Sequence, residues 1–222
     1  MKKIKLLIFA VLSIGFTAVV FILPGQPDNQ KIKKDTKMDG TIKLDTATFG
    51  SGCFWCTEAV FERLKGVYEI TSGYSGGSVP NPSYESVCTG ETGHAEVTQI
   101  LFDPKEITFV ELLEVFWKTH DPTTLNRQGN DVGTQYRSVI FYHSEEQKKL
   151  ADEYKQKLNE ANIYANPVIT EISQFKKIYP AEKYHQDYYE NNPTQGYCSF
   201  VITPKVEKFE KVFKSKLKDK YK

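Results

Sequence analysis

From residue 41 onward the apolar positions switch repeatedly between a period of two and a period of about 3.6, the spacings of strands and helices. Ile42, Leu44 and the stretch to Phe49 predict a first strand, and Gly50-Ser51-Gly52 a sharp turn. A helix is expected over 54–65, with Ala59, Val60 and Leu64 at helical spacing and Gly66 as its stop. Residues 67–72 read as a strand, 73–82 as a loop, and 96–102 as a strand ended by Asp103-Pro104. Thr108 and Glu111 form a capping box ahead of a helix whose Phe109, Leu112, Leu113 and Phe116 share one face. Residues 121–135 form a polar loop of the length that often carries function. A strand over 138–142 precedes a helix capped by Ser144 and Gln147, with Leu150, Tyr154, Leu158 and Ala161 on one stripe. A strand over 168–172, a helix over 181–190, a last strand over 200–202 and a Lys-rich helical tail complete the series. No internal repeat is present. Strands and helices mix without regular βαβ spacing, which predicts an α+β fold: a two-layer, mixed-sheet domain with flanking helices.

The first forty residues follow other rules. Lys2, Lys3 and Lys5 precede a run, 6–23, without a single charge, long enough to span a bilayer as a helix. No A-x-A-like cleavage site follows it, so residues 1–24 are read as an uncleaved membrane anchor, with a cleaved secretion signal as the alternative. The Lys cluster before the run favours a cytoplasmic N-terminus and an extracytoplasmic remainder, although Lys31, Lys33 and Lys34 weaken that vote. Residues 25–40 are polar and read as a linker, leaving 41–222 as the globular domain.

Charge is nearly balanced, 29 basic against 28 acidic residues, so no global field draws the chain to nucleic acid. Four cysteines, Cys53, Cys56, Cys88 and Cys198, are too few to staple a domain of this size. Each must be judged by its neighbourhood. Cys53 follows a tight Gly-rich turn and begins a helix, where free N–H groups and the helix dipole would stabilise a thiolate. The competing reading is a small buried hydrophobe. The Cys53-x-x-Cys56 spacing allows a redox pair or half a zinc site. Cys88 and Cys198 stand alone without a partner at ligand spacing, which favours thiol exchange over zinc.

The sequence Gly52-Cys53-Phe54-Trp55-Cys56 resembles the signature of the A-type peptide-methionine sulfoxide reductases. Further blocks resemble that family in order: Gly73-Tyr74-Ser75-Gly76-Gly77, Tyr84-Glu85-Ser86-Val87-Cys88-Thr89-Gly90, and Thr92-Gly93-His94-Ala95-Glu96. So do Asp121-Pro122-Thr123-Thr124, Asn126-Arg127-Gln128-Gly129-Asn130-Asp131, and Gly133-Thr134-Gln135-Tyr136-Arg137-Ser138. Tyr179-Pro180-Ala181-Glu182, Tyr184-His185-Gln186 and Gly196-Tyr197-Cys198 complete the set, which spans about 49–205 and leaves the anchor and linker outside.

The resemblance implies that Cys53 attacks the sulfoxide sulfur of the S epimer and that Glu96 is the acid. It also implies that Tyr84 and Tyr136 hydrogen-bond the sulfoxide oxygen. Asp131 matches a polar residue of the same cleft, and Phe54 and Trp55 an apolar wall for the substrate methyl group. Without the resemblance Glu96 reads as a solvated carboxylate beginning a strand, and each tyrosine as a packing residue. Attack leaves a sulfenic acid on Cys53, which condenses with a second thiol. Cys198 is preferred as the resolving residue, with Cys56 as the alternative. The implied reaction needs no metal or organic cofactor, only a thioredoxin-like dithiol, and acts on oxidised proteins or peptides. A monomer is expected. Cys88 is read as packing, and His94 and His185 as structural. A tethered thiol–disulfide oxidoreductase using Cys53 and Cys56, or a non-enzymatic anchored module, are the competing functions.

Overall fold

A computed structural model describes residues 43–222, and every residue in this range is placed in one connected fold. The expected anchor at 1–24 and the expected linker at 25–40 both lie outside the described residues. Among the described residues, no helix is long and apolar enough to cross a membrane.

Strand β1 (Asp45–Ser51) leads into helix α1 (Phe54–Phe61), and β2 (Val67–Ser75) into the short α2 (Tyr84–Cys88). Strand β3 (Ala95–Phe102) precedes α3 (Phe109–Thr119) and a two-strand ribbon, β4 (Arg127–Gln128) and β5 (Asp131–Val132). Then come β6 (Ser138–Tyr142), α4 (Glu145–Glu160), β7 (Glu171–Gln174), β8 (Ile178–Pro180), α5 (Tyr188–Asn191) and α6 (Thr203–Val212). The main sheet has the order β7-β6-β1-β3-β2-β8, antiparallel throughout except for the parallel β6–β7 pair. It is the mixed sheet with flanking helices that the sequence predicts.

Alternation decides what each sheet face carries. Ala47 and Phe49 of β1, Ile100 and Phe102 of β3, and Ile140 of β6 pack with Phe61 and Leu64, with Leu112 and Phe116 of α3, and with Phe209 and Phe213 at the end of α6. Phe49 is fully buried with its ring 5.0 Å from that of Phe116. The opposite face carries the smaller cluster of Ala95, Val97, Val139 and Phe141. Glu96 and Thr98 share parity with Ile100 and Phe102, so the strand turns Glu96 toward the helices.

Both predicted caps form. Thr108 accepts from the Glu111 N–H at 3.2 Å, and Glu111 accepts from the Thr108 N–H at 2.8 Å. Ser144 accepts from the Gln147 N–H, while the Gln147 amide donates to the Thr46 carbonyl and ties α4 to β1.

Several boundaries differ from the sequence reading. Residues 73–75 extend β2 instead of opening a loop, because Gly73, Tyr74 and Ser75 pair with β3 on one side and β8 on the other. Helix α1 stops at Phe61, and the chain then turns toward Gly66. The expected strand at 168–172 sits three residues later, where it gains β6 as a partner. The polar 121–135 loop folds part of its length into the β4–β5 ribbon. The expected helix over 181–190 is broken: Asp187 takes a left-handed φ of +53°, leaving a short 3-10 turn before it and the four-residue α5 after it. The apolar triplet at 200–202 is not a strand. It lies in a π-helical turn, Cys198–Ile202, that runs directly into α6 and leaves Phe200 84% exposed.

Candidate active site

The turn after β1 delivers Cys53. Gly52 has φ +92°, and a side chain there would meet Gln128 at 2.6 Å, so only glycine fits. Cys53 is the N-cap of α1, and its carbonyl accepts from Cys56 N–H at 3.1 Å and Thr57 N–H at 3.3 Å. The Ser51 and Thr57 hydroxyls, 2.7 Å apart, fasten the turn to the helix.

The helix start serves the Cys53 sulfur only in part: the Trp55 N–H favours its charged form but is outweighed by burial. The Phe54 N–H instead donates to Glu96 Oε2 at 3.0 Å, a contact made from 42 residues away. Burial, and after it the hydrogen bond with Cys56, push the Cys53 thiol well up from its ordinary range. At rest Cys53 is therefore a thiol, correcting the expected thiolate. Cys56 moves the other way, down to about 7. The hydrogen bond from Cys53 is the main cause, Lys205 and the Tyr197 hydroxyl assist, and burial opposes them. The negative charge of the pair thus belongs on Cys56, with Cys53 donating to it.

Glu96 is 1% exposed, and burial raises its carboxyl to about 8 against the pull of the Phe54 N–H. A buried carboxyl of this kind carries a proton at neutral pH and can donate it. Burial is the main cause that raises the Tyr84 and Tyr136 phenols, assisted at Tyr84 by its hydrogen bond with Cys88. The two hydroxyls therefore stay protonated and available as donors. Tyr136 packs on the cluster that holds Cys53, Cys56 and Cys198, and Tyr84 on the one that holds Phe54.

Asp131 is brought in through a bond the sequence did not suggest: its Oδ2 accepts from the Tyr197 hydroxyl at 2.6 Å, and that hydroxyl lies 4.0 Å from Cys56 Sγ. Phe54 is buried between Tyr74 and His185, while Trp55 reaches the partly exposed side of the site. Trp55 stacks on Tyr188 at 3.6 Å with planes 5° apart, and its indole N–H donates to His185 Nδ1 at 3.1 Å. Tyr74 donates to Glu182 Oε2 at 2.9 Å, and Tyr84 N–H to Oε1 of the same carboxylate at 2.9 Å. Tyr74, Glu182, Tyr188 and Tyr197 were not singled out from sequence. The signal present for Tyr74, Glu182 and Tyr197 was only their membership of family-like blocks, and Tyr188 lay outside them; alone they read as four more polar or aromatic positions.

All four cysteines are free. Cys198 is completely buried in the same apolar cluster as Cys53 and Cys56, and burial raises its thiol. Cys88 is not the packing residue expected: it is exposed at the end of α2, beside the Tyr84 phenol. Among the described residues, no group of three or more His, Cys, Asp or Glu is placed to hold a metal ion. Cavities of about 480 Å³ beside Phe209 and Phe213 and about 520 Å³ beside His94 and Tyr179 contain none of the cysteines. The site is marked by its chemistry more than by its volume.

Comparison with known proteins covers the domain that carries these residues. A family model described as peptide methionine sulfoxide reductase matches 45–217. The peptide methionine sulfoxide reductase MsrA of Polynucleobacter asymbioticus is 57% identical over 178 residues, 80% of this chain and 94% of that protein. The protein of the same description from Sulfolobus acidocaldarius is 59% identical over 177 residues, 78% of this chain and 97% of its own. Among solved structures, methionine sulfoxide reductase A of Corynebacterium diphtheriae matches with a TM-score of 0.64 and 37% identity, over 72% of this chain and 80% of that one. Reduced Mxr1 from Saccharomyces cerevisiae matches with a TM-score of 0.63 and 38% identity, over 72% and 94%.

Proposed function

The chain belongs to the peptide methionine sulfoxide reductase family, of the A type, and is a peptide-methionine (S)-S-oxide reductase; from that premise we propose how its own residues carry out the thiol-dependent reduction. The observation that carries the reading is the buried Glu96 carboxyl on the Phe54 N–H beside Cys53, protonated up to about pH 8.

The sulfoxide methyl and sulfur rest against Phe54 and Trp55, and the sulfoxide oxygen accepts hydrogen bonds from Tyr84 and Tyr136. Cys53 gives up its proton to Cys56, and its sulfur attacks the sulfoxide sulfur. Glu96 passes a proton to the departing oxygen, whose developing charge the two phenols stabilise. The bond between the two sulfurs then breaks as the protonated oxygen passes to Cys53, leaving a sulfenic acid there, while the methionine sulfur keeps an electron pair and leaves as the thioether. The Cys198 thiol then condenses with the sulfenic acid, forming a disulfide and releasing water. A thioredoxin-like dithiol reduces that disulfide by exchange and is itself oxidised. Cys198 is preferred as the resolver because it shares the apolar cluster of Cys53. Cys56, on the same first turn of α1, is held in a helix that hinders a direct bond. Asp131 keeps Tyr197, and through it the element bearing Cys198, against the site.

The proposal extends to the rest of the chain. Residues 1–24 anchor it in a membrane, 25–40 form a linker, and 41–222 work as a monomeric catalytic domain on the extracytoplasmic side. The uncharged 6–23 run supports this. The test supplies each epimer of a peptide methionine sulfoxide separately to the full chain, with dithiothreitol as reductant. Reduction of the S epimer alone, abolished by Cys53→Ser, is the expected result. Cys53→Ser retaining activity overturns the assignment of the nucleophile.

A further inference from the structure

Trp55 needs a partner to hold its ring, and the partner it has is borne on an unusual piece of backbone. Tyr188 stacks on it at 3.6 Å and opens α5, directly after Asp187 at φ +53°. The Asp187 side chain caps none of the N–H groups of that short helix. A non-glycine residue in this conformation persists only where its surroundings hold it.

Glu58 is the group that lies against this turn. It stands on α1 three residues beyond Trp55, so both point from one side of the helix. It is 3% exposed, and its Oε2 has no hydrogen-bond partner. The Asp187 and Tyr188 N–H groups face its carboxyl and favour the charged form, while burial, the larger influence, raises the group to about 7. The charged groups around it are Asp187 before α5, Glu62 and Arg63 on α1, Glu190 on α5 and Glu210 on α6. Arg63 is not its counter-ion, being held by Glu62 at 2.6 Å and by Glu190 and Glu210 at 3.0 Å each. A buried carboxylate without a counter-ion is costly, and such a group is retained where it does a task that a neutral residue does not.

We propose that Glu58 is a positioning residue: its carboxylate pins the Asp187–Tyr188 backbone, and thereby holds Tyr188 on Trp55 and shapes the wall that receives the oxidised methionine side chain. This inference rests on the proposed reading of Phe54 and Trp55 as that wall. Because the N–H groups favour the charged form, the pin tightens as Glu58 ionises. Substrate affinity should therefore weaken as pH falls through about 7.

The test measures kcat and KM for the S epimer of a peptide methionine sulfoxide between pH 6 and 8. It uses the full chain, Glu58→Gln, Tyr188→Ala and the double variant. Glu58→Gln is expected to raise KM about five- to tenfold at pH 8, change kcat less than twofold, and flatten the pH dependence of KM. In the Tyr188→Ala background the same change should have no further effect on KM. An unchanged KM in Glu58→Gln, or an equal rise in both backgrounds, overturns the proposal. A second readout needs no turnover: with Trp117→Phe leaving Trp55 as the lone tryptophan, emission should shift through about pH 7 and lose that shift in Glu58→Gln. The emission shift without any sulfoxide reduction by the unmodified chain would sink the catalytic reading while upholding the pin. A pH-independent emission in the otherwise unmodified chain would sink the pin itself.

Discussion

Replacing Glu96 by Gln separates the cost of burying this carboxyl from the chemistry it performs. Folding lifts the group from its ordinary 4.5 to about 8, chiefly through burial. The folded chain therefore holds the proton to higher pH than the unfolded chain does. The resulting contribution to stability is fully present below about pH 4.5, declines as pH rises, and is lost above about 8. Each tenfold difference in proton affinity is worth about 1.4 kcal/mol, so the loss at high pH amounts to about 5 kcal/mol. A neutral amide keeps an acceptor for the Phe54 N–H and avoids that loss. Glu96→Gln should consequently match the unmodified chain within about 1 kcal/mol at pH 5 and exceed its stability by several kcal/mol at pH 9. At about 2–4 °C per kcal/mol for a domain of this size, Tm at pH 9 should rise by about 10 °C or more. Comparing the two proteins at each pH cancels every other titrating group.

Activity should move the opposite way. The amide cannot donate the proton, so the first turnover should slow by about 10²–10⁴. In the unmodified chain the single-turnover rate should fall as pH rises through about 8, as the acid ionises, and the variant should lack this limb. Thermal melts followed by circular dichroism and rapid-quench turnover, both at pH 5 and 9, supply the measurements. A variant that melts no higher than the parent at pH 9 refutes the buried neutral carboxyl. A variant that turns over within tenfold of the parent refutes its role as the acid.

Cys198→Ser should release one methionine per chain in a quenched first turnover and then stall with a thioredoxin-type reductant, whereas Cys56→Ser, lacking the acceptor of the Cys53 proton, should slow the first turnover yet still complete repeated cycles; a Cys56→Ser chain that stalls after one turnover while Cys198→Ser cycles would make Cys56 the resolver. Gly50→Ala places a methyl 2.7 Å from Val139 Cγ1 and 2.9 Å from the Glu96 carbonyl. It should cost about 1–3 kcal/mol in a denaturant melt and lower kcat by shifting the strand that carries Glu96; an unchanged kcat would show that the strand yields without moving its carboxyl.

The parts of this fold that the sequence makes legible are those set by local periodicity. The Thr108 and Ser144 caps, the apolar stripe of α3 and the alternation of β1 and β3 each draw on a few neighbouring residues, and each forms as expected. The stretch 178–202 obeys no such rule. Its elements are three to five residues long and owe their shape to partners outside them: Tyr179 pairs with Tyr74 across β8 and β2, Gln186 spans Ser72 and Ala181, and Tyr197 reaches Asp131. The apolar triplet Phe200-Val201-Ile202 reads as a strand only because three apolar residues in a row carry no period. The site divides in the same way. Glu96 shares the face of Ile100 and Phe102, yet a carboxylate opening a strand reads as solvated without the resemblance, and its burial became visible only when the helices packed over that face. The state of Cys53 was not legible either. A helix start offers donors to whatever anion reaches them, and here a carboxylate from 42 residues away takes the Phe54 N–H. That long-range contact gives the Phe54 N–H to the Glu96 carboxyl instead of the sulfur, burial keeps both Glu96 and Cys53 protonated, and Cys56 is left to accept the proton that Cys53 must lose.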